Sequence, residues 1–351
     1  MIQDGELRAL ADQIDHLVTL DVKKTGVREL YQASRARHQA SPTLVAAQRL
    51  AQTVKPMDPV LIMTGVIISP FGTGETDGPI GAAGLARALA LVLKARPLLL
   101  TTSSMLEVAR STLRAAGLNV ISPAELQEVE DWMRGFAGLD DFPVEDGAAQ
   151  EKARRLIGDL KPSAVISVET TGPNSKGVYH NYGRDFSSHM MKSGRLFEEA
   201  RRAGVLTIGI GDRGNEIGFG SDGLHEAARG THPYGKTCRC PCGEGAADVT
   251  AVDITVVATV SNWGAYGMEA ALAAILQSRE ALHDGNLERR MLEACSRAGG
   301  VDGRYQTPDF LVDSMPEIIH VGIVELLSAL VAARVDFGAA AKHDPYGKGK
   351  Y

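Results

Sequence analysis

The sequence predicts an α/β fold: a three-layer, mostly parallel, doubly wound sheet behind a helical N-terminal preface. Three observations carry this. Short apolar runs alternate with helical stretches to give about six βα units in series, the pattern of a parallel sheet with helices on both faces. The run at 59–68 is continuously apolar and bounded by prolines, as expected of a strand buried on both faces. The 351 residues are 44% hydrophobic and 23% charged, which suits an ordinary water-soluble chain with a sizeable core. Such an arrangement is Rossmann-like in outline.

The elements follow in order. In 3–52, Leu7, Leu10, Ile14 and Leu17 recur at helical spacing, as do Leu44, Ala47 and Leu50. Ser41-Pro42 offers an N-cap and an N1 proline to the second of these helices. Residues 1–55 are therefore assigned as a preface packing on a main domain at 56–338, with a loose tail at 339–351. After the 59–68 strand, Pro79 opens a helix to 95, and 97–101 is the next strand. A helix at 105–116 stops at Gly117 and leads to a short strand at 118–121. The acid-rich stretch 122–147 reads as an irregular excursion or a cap over the sheet. Helices at 148–160, 186–203 and 222–229 alternate with strands at 164–168, 205–210 and 252–260. An alanine-rich helix at 266–276, a polar stretch at 299–316 and an apolar helix at about 317–335 complete the chain.

Charge and composition exclude some roles. A net charge of −6 without a long basic run argues against nucleic acid or an anionic membrane as the main partner. No apolar segment is long enough to span a bilayer, and the first residues carry early acids without an apolar core segment, so a cytoplasmic location is expected. Helix 317–335 is open to a core or an interface role, which leaves a homo-oligomer open.

Right-handed crossovers bring strand-exit loops to one edge, so loops 69–79, 169–185, 211–221 and 261–265 should converge. They hold most of the unusual polar chemistry. Residues 205–220, VLTIGIGDRGNEIGFG, run from a strand into Asp212, Arg213, Asn215 and Glu216, set among Gly209, Gly211, Gly214, Gly218 and Gly220. Glycine here permits φ > 0 or lets backbone approach a ligand; the plainer alternative is a tight turn whose acids face water. In FGTGETDGP, the helix N-terminus at Gly78-Pro79 favours an anion, but no GK[ST] or GxGxxG pattern is present and Glu75 and Asp77 would repel phosphate. An ammonium or a metal suits those acids, unless Asp77 only caps the helix. Loop 169–185 carries Glu169, His180, Asn181, Arg184 and Asp185. Arg184 can grip a carboxylate with two N–H groups. Asp185 can cap the next helix, and His180 is open to a general-base or a solvated role. In SNWG, Ser261 and Asn262 offer hydrogen bonds, and Trp263 is open to a pocket wall or the core. Cys238, Cys240 and Cys242, with His232 upstream, form a separate metal candidate, although the spacing is not C-x2-C; the alternative is three loop thiols.

ETDGP (75–79), VE…NY (168–182), GIGDRGNEIGFG (209–220) and VSNWGAYG (260–267), in that order, resemble the cyclase domain of the D-glutamate cyclase family. The resemblance spans roughly 58–335. It implies conversion of D-glutamate to 5-oxo-D-proline and water, or the reverse, by carbon–oxygen hydro-lyase chemistry. That reaction needs a base, an acid and an oxyanion stabiliser. The candidates are Glu216, Asp212 and Asp77 for proton transfer or as metal ligands, and Glu75 and Asp77 for the ammonium. Arg184 and the helix N-terminus at Gly78 would take a carboxylate. Asn215 and Asn262 would orient the substrate, with Glu169, Asn181, Gly214 and Ser261 lining the site. Oxygen ligands of this kind suit a divalent metal such as Mg²⁺ or Mn²⁺, and no nucleotide is expected. The expected partner is a small amino-acid substrate. The competing readings are a cyclase or hydrolase of another amino-acid-like substrate, and a non-catalytic small-molecule-binding α/β protein.

Overall fold

Seven strands form one parallel sheet, and their order places the central crevice. In the computed structural model, which describes residues 2–68, 70 and 72–337, these are β1 (Pro59–Thr64), β2 (Arg96–Thr101), β3 (Asn119–Ile121), β4 (Phe136–Asp141), β5 (Ala164–Val168), β6 (Leu206–Gly211) and β7 (Ile254–Val257). The spatial order is β7-β6-β5-β1-β2-β4-β3, every pairing parallel. Register runs Leu61 opposite Leu98 on one side and Val165 on the other. The chain builds outward from β1 through β2, then returns and builds the other way from β5. The switch point therefore lies between β1 and β5, and ligand crevices of open α/β sheets sit there, beyond the strands' carboxyl ends.

Alternation along the central strands feeds two cores. Val60, Ile62 and Ile166 join the helices α1 (Asp4–Val18), α3 (Pro42–Thr53), α4 (Pro79–Val92) and α10 (Ser261–Leu276). Leu61, Met63 and Val165 face α7 (Asp146–Leu160) and α8 (Ser193–Arg202). Each such fully buried side chain contributes about 1.5–3 kcal/mol relative to exposure. The expected three-layer architecture is present. The N-terminal helices belong to the first core: Leu10, Ile14, Ala47 and Leu50 are buried in it, and α1 and α3 pack on α10.

Several local expectations change. The 59–68 run breaks at Gly65 (φ +117°), and Ile67–Ile68 pairs antiparallel with Thr73–Gly74. The 122–147 excursion contains β4, a full member of the sheet. Gly138 hides it in sequence: glycine interrupts the apolar strand, and methyls of Leu126 and Leu98 fill the place of a Cβ, 2.8 and 2.9 Å from it. Asp140 and Asp141 at its end pair with Lys152 of α7. The helix expected at 186–203 begins at Ser193, because Asp185 accepts from Ser187 N in a local turn and caps no helix. SNWG is not a loop but the first turn of α10. A helix at Gly285–Arg297, capped by Asp284, adds to the expected set. The apolar helix at Glu317–Ala332 buries Ile323, Val324, Leu327 and Val331 and exposes Ile318 and Leu326. Among the described residues no helix is long and apolar enough to cross a membrane. The tail at 339–351, with 69 and 71 of the first loop, lies outside the described residues.

Candidate active site

At the carboxyl edge of the sheet, loops from β1, β5, β6 and β7 meet in a cluster of buried carboxyl groups. Glu75, Asp77, Glu169, Asp212 and Glu216 are all at most 8% exposed. Asp313 joins them from a hairpin in which Leu311–Val312 pairs with Met315–Pro316. Asp313 and Ser314, the two turn residues, both have positive φ, as two-residue hairpin turns of this hand require. Asp302 holds that region by accepting from Arg304, Tyr305 and Ser314 N–H groups. The facing cations are Lys23, from the segment that follows α1, and Arg213. Lys23 hydrogen-bonds Asp313 and lies 3.6 Å from Asp212, while Arg213 Nε lies 3.3 Å from Asp212.

Backbone placement is specific. Glu169 follows β5 directly with φ +46°, a left-handed conformation uncommon outside glycine. Its N–H donates to Ile210 O and its carbonyl accepts from Gly65 N, so it bolts together the exits of β1, β5 and β6. Its carboxylate accepts from Ser261 Oγ at 2.5 Å. Asp77 accepts from Gly78, Ser261 and Asn262 N–H groups at 2.9–3.0 Å. Asn262 Oδ1 accepts from Gly78 N (2.9 Å) and Gly81 N (2.7 Å). The N-terminus of α4 is thus occupied by Asn262 and, against the sequence-based expectation, is not left open for a substrate carboxylate. Glu216 Oε2 accepts from Gly214 N (2.8 Å) and Arg213 N (3.2 Å), while its Oε1 is buried with no hydrogen-bond partner among the described residues.

Burial sets the protonation pattern. It raises Glu75 and Glu169 well above the usual carboxylate range, Glu75 further through Asp313 and Asp77, and Glu169 through Glu216 and Asp212. It lifts Asp77 to about 7, with the Asp313 charge adding. Asp212 is raised by burial and by Asp313, against Lys23 and Arg213. Burial raises Glu216 against its two N–H bonds. Burial opposes ionisation of Asp313 too, but the Lys23 charge holds it below its ordinary value. The lysine is shared unequally, in favour of the carboxylate it touches.

The glycines of 205–220 act differently from expectation. The loop after β6 folds back over its own strand: a Cβ on Gly209 would lie 2.2 Å from Ile217 O, and one on Gly220 1.9 Å from Val249 C. Their clearance is taken by the protein's own backbone and leaves no room there for a substrate. Gly214 does need its φ of +102°, and its carbonyl accepts from Asp248 N.

Other predicted residues are placed as follows. Arg184 is exposed on a short ribbon opposite Asn181 and, among the described residues, makes no ion pair; Arg213 occupies the place in the cluster expected for it. Asn181 donates to Ile67 O, tying two loops. The Asn215 side chain has no protein hydrogen bond among the described residues. Trp263 is fully buried and donates to His320 Nδ1, so it is core. Sequence reasoning misses Lys23, Asp302 and Asp313; they lie outside the βα units, and no motif marks them.

Two sets of carboxyl oxygens lie within 4.8 Å of one another: Asp77, Asp212 and Asp313, and Glu169, Asp212 and Glu216. The Lys23 ammonium already serves the first. The second has the unpartnered Glu216 Oε1 and fits an oxygen-seeking divalent cation better. A separate cluster joins the three loop cysteines to His180, whose Nε2 lies 3.3 Å from Cys240 Sγ. His232, the histidine suggested by sequence proximity, accepts instead from Tyr234 N.

A family model described as D-glutamate cyclase-like, C-terminal, matches residues 14–328. Human "D-glutamate cyclase, mitochondrial" is 34% identical over 110 residues, which is 31% of this chain and 16% of that protein. The chain thus matches less than a fifth of the length of that relative.

Proposed function

The chain belongs to the D-glutamate cyclase-like family, and on that premise we propose that it interconverts D-glutamate, or a close amino-acid analogue, with 5-oxo-D-proline and water. In the forward direction the α-nitrogen attacks the γ-carboxyl carbon. A C–N bond forms, a C–O bond breaks, and the two protons shed by the ammonium leave with the departing oxygen as water. The enzyme must therefore take protons at nitrogen and return them at oxygen.

One observation carries the reading: Glu216 Oε1, buried beside Glu169 and Asp212 without a protein partner. Oε2 is anchored by two N–H groups, so Oε1 is the atom free to accept the ammonium proton. Glu169 and Asp212, held toward the protonated form by burial and mutual repulsion, supply the acid for the leaving oxygen. Arg213 takes a substrate carboxylate, and the unpartnered Asn215 amide offers further hydrogen bonds. Asp77 and Asn262 are positioning residues that fix the loops. A divalent cation, where one binds, would be held by Glu169, Asp212 and Glu216 as carboxylates, and would polarise the γ-carboxylate as a Lewis acid in place of the acid role of Glu169 and Asp212.

The test is 5-oxoproline formation from D-glutamate by the full chain, with L-glutamate as comparison and with Mg²⁺, Mn²⁺ or chelator. Turnover of D-glutamate that is lost in Glu216→Gln supports the proposal. Absence of turnover in both directions under every metal condition rejects it.

A further inference from the structure

We propose that His180, Cys238, Cys240 and Cys242 form a tetrahedral Cys₃His zinc site that staples the cysteine loop to the ribbon carrying Asn181 and Tyr182. The site is separate from the carboxyl cluster and from the reaction proposed for it.

Geometry comes first. Cys238 Sγ lies 3.3 Å from Cys240 Sγ and 3.4 Å from Cys242 Sγ. His180 Nε2 lies 3.3 Å from Cys240 Sγ and 3.6 Å from Cys242 Sγ. Zn–S bonds of about 2.3 Å and Zn–N bonds of about 2.0–2.1 Å give tetrahedral edges of about 3.5–3.8 Å, close to this spacing. The cysteines are free thiols, their sulfurs well beyond the ~2.05 Å of a disulfide. All four donor atoms lie within 4.8 Å, which leaves room for a single ion and none for a multi-iron cluster. Three sulfurs and an imidazole select a borderline-soft metal, unlike the all-oxygen carboxyl site.

The loop that carries the cysteines buries little of itself. Between 232 and 245 only Gly235 and Gly245 are buried, and the one aromatic ring packed against a neighbouring segment is Tyr234, half-buried against Gly183 and Arg239. It nevertheless closes tightly: a Cβ on Gly245 would lie 2.2 Å from Gly235 O, and Ala246 N donates to Tyr234 O. A loop that buries so little apolar surface gains most from a metal link, because the binding free energy of the ligands adds to its closure. The surroundings are consistent with thiolate ligands. Asn174 Nδ2 donates to Cys242 Sγ at 3.3 Å and to Gly245 O at 2.7 Å. His180 Nε2 faces the sulfurs, and its Nδ1 is turned away from them, buried and without a hydrogen-bond partner among the described residues.

The consequence reaches the active site. The ribbon held by His180 sends Asn181 to Ile67 O and Tyr182 to Gly303 O. Tyr234 packs under Gly183, and Arg239 N donates to Gly183 O. The metal would thus fix a wall of the carboxyl crevice.

The experiment is metal analysis of the full chain purified without chelator from zinc-supplemented medium. Stoichiometric zinc is expected. Cys240→Ser and His180→Ala should lose it, while Glu216→Gln and the buried Cys295→Ser should retain it. Cobalt added to metal-stripped wild type should give tetrahedral visible bands and a thiolate-to-cobalt charge-transfer band, a readout independent of whether the variants fold. Wild type without zinc and without the cobalt bands overturns the proposal. So does zinc that persists in a Cys240→Ser, Cys242→Ser double variant.

Discussion

Asp77 and Asn262 cap each other's helices. The Asp77 carboxylate accepts from Ser261 and Asn262 N–H groups at the start of α10, and Asn262 Oδ1 accepts from Gly78 and Gly81 N–H groups at the start of α4. Two N-termini thus converge on one point and satisfy each other's free donors. Asn262→Ala strands the buried Gly81 N–H and leaves Gly78 N–H to Asp77 alone, and should cost about 1–3 kcal/mol, with activity lost through displaced loops. Urea denaturation of the variant checks this, and a stability within about 0.5 kcal/mol of wild type would contradict the capping role.

Glu216→Gln should separate chemistry from folding. Glutamine keeps an oxygen for the Gly214 and Arg213 N–H groups and replaces a buried, raised carboxyl with a neutral amide. Stability should hold or rise, while turnover of D-glutamate should fall by about 10²–10⁴-fold. A folded variant with wild-type kcat removes Glu216 from proton transfer.

Lys23 compensates charge in the acidic cluster. Its side chain is only 10% exposed and that of Asp313 16%, so removing the ammonium breaks a largely buried pair. Lys23→Met should cost about 3–5 kcal/mol near neutral pH. The Asp313 pKa is depressed in the fold, so its contribution is present above its unfolded value near 3.8 and is lost as pH falls through the folded value. The gap between wild type and variant should therefore shrink as the pH is lowered from neutral to below that unfolded value. Paired denaturant melts at the two ends of that range measure it; a constant gap would show that the pair does not set stability.

The sheet was legible because its central strands are uninterrupted apolar runs and its helices carry their own spacing. The convergence of Glu75, Asp77, Glu169, Asp212 and Glu216 followed from crossover handedness alone. What periodicity could not carry was long-range pairing. Lys23 and Asp313 arrive from segments outside the βα repeat, and His180 reaches three cysteines 58 to 62 residues away. β4 was obscured by Gly138, whose missing side chain is what lets Leu98 and Leu126 close over it. The sequence offers Arg184 as a carboxylate clamp while the cluster holds Arg213, because a loop sequence does not tell which arginine is exposed.

A second buried network carries its own pH signature. His283 Nδ1 lies 2.6 Å from Glu269 and its Nε2 3.2 Å from Glu288, which also accepts from Tyr266 Oη at 2.9 Å. Burial would lower the His283 pKa, but the Glu269 charge and hydrogen bond outweigh it and push it up to about 10. A raised pKa means the stabilisation is complete below the unfolded value of 6.5 and is lost as pH rises through about 10. Wild-type stability should fall across that window, and His283→Gln should flatten the slope. Equal slopes in the two proteins would rule out His283 as its origin.

The last prediction concerns the glycine-rich stretch itself. Gly209 lies in β6 without a positive φ, so alanine meets no conformational penalty there. The penalty is contact: a Cβ would lie 2.2 Å from Ile217 O and 3.1 Å from Gly218 Cα. Both are backbone atoms of the loop that carries Glu216, and they cannot swing aside as a side chain does. Gly209→Ala should cost about 3 kcal/mol or more, at or beyond the upper end for overpacking, and should shift Glu216 out of register with Glu169. Gly158, in α7, is the control, because a methyl added there would meet nothing within 4 Å. Gly158→Ala should be neutral or stabilising by up to about 1 kcal/mol, from helix propensity. Chemical denaturation of both variants decides the matter. Should Gly209→Ala melt with wild type, the glycines serve the turn alone, and the close approach of loop to strand would not be what holds Glu216 in place.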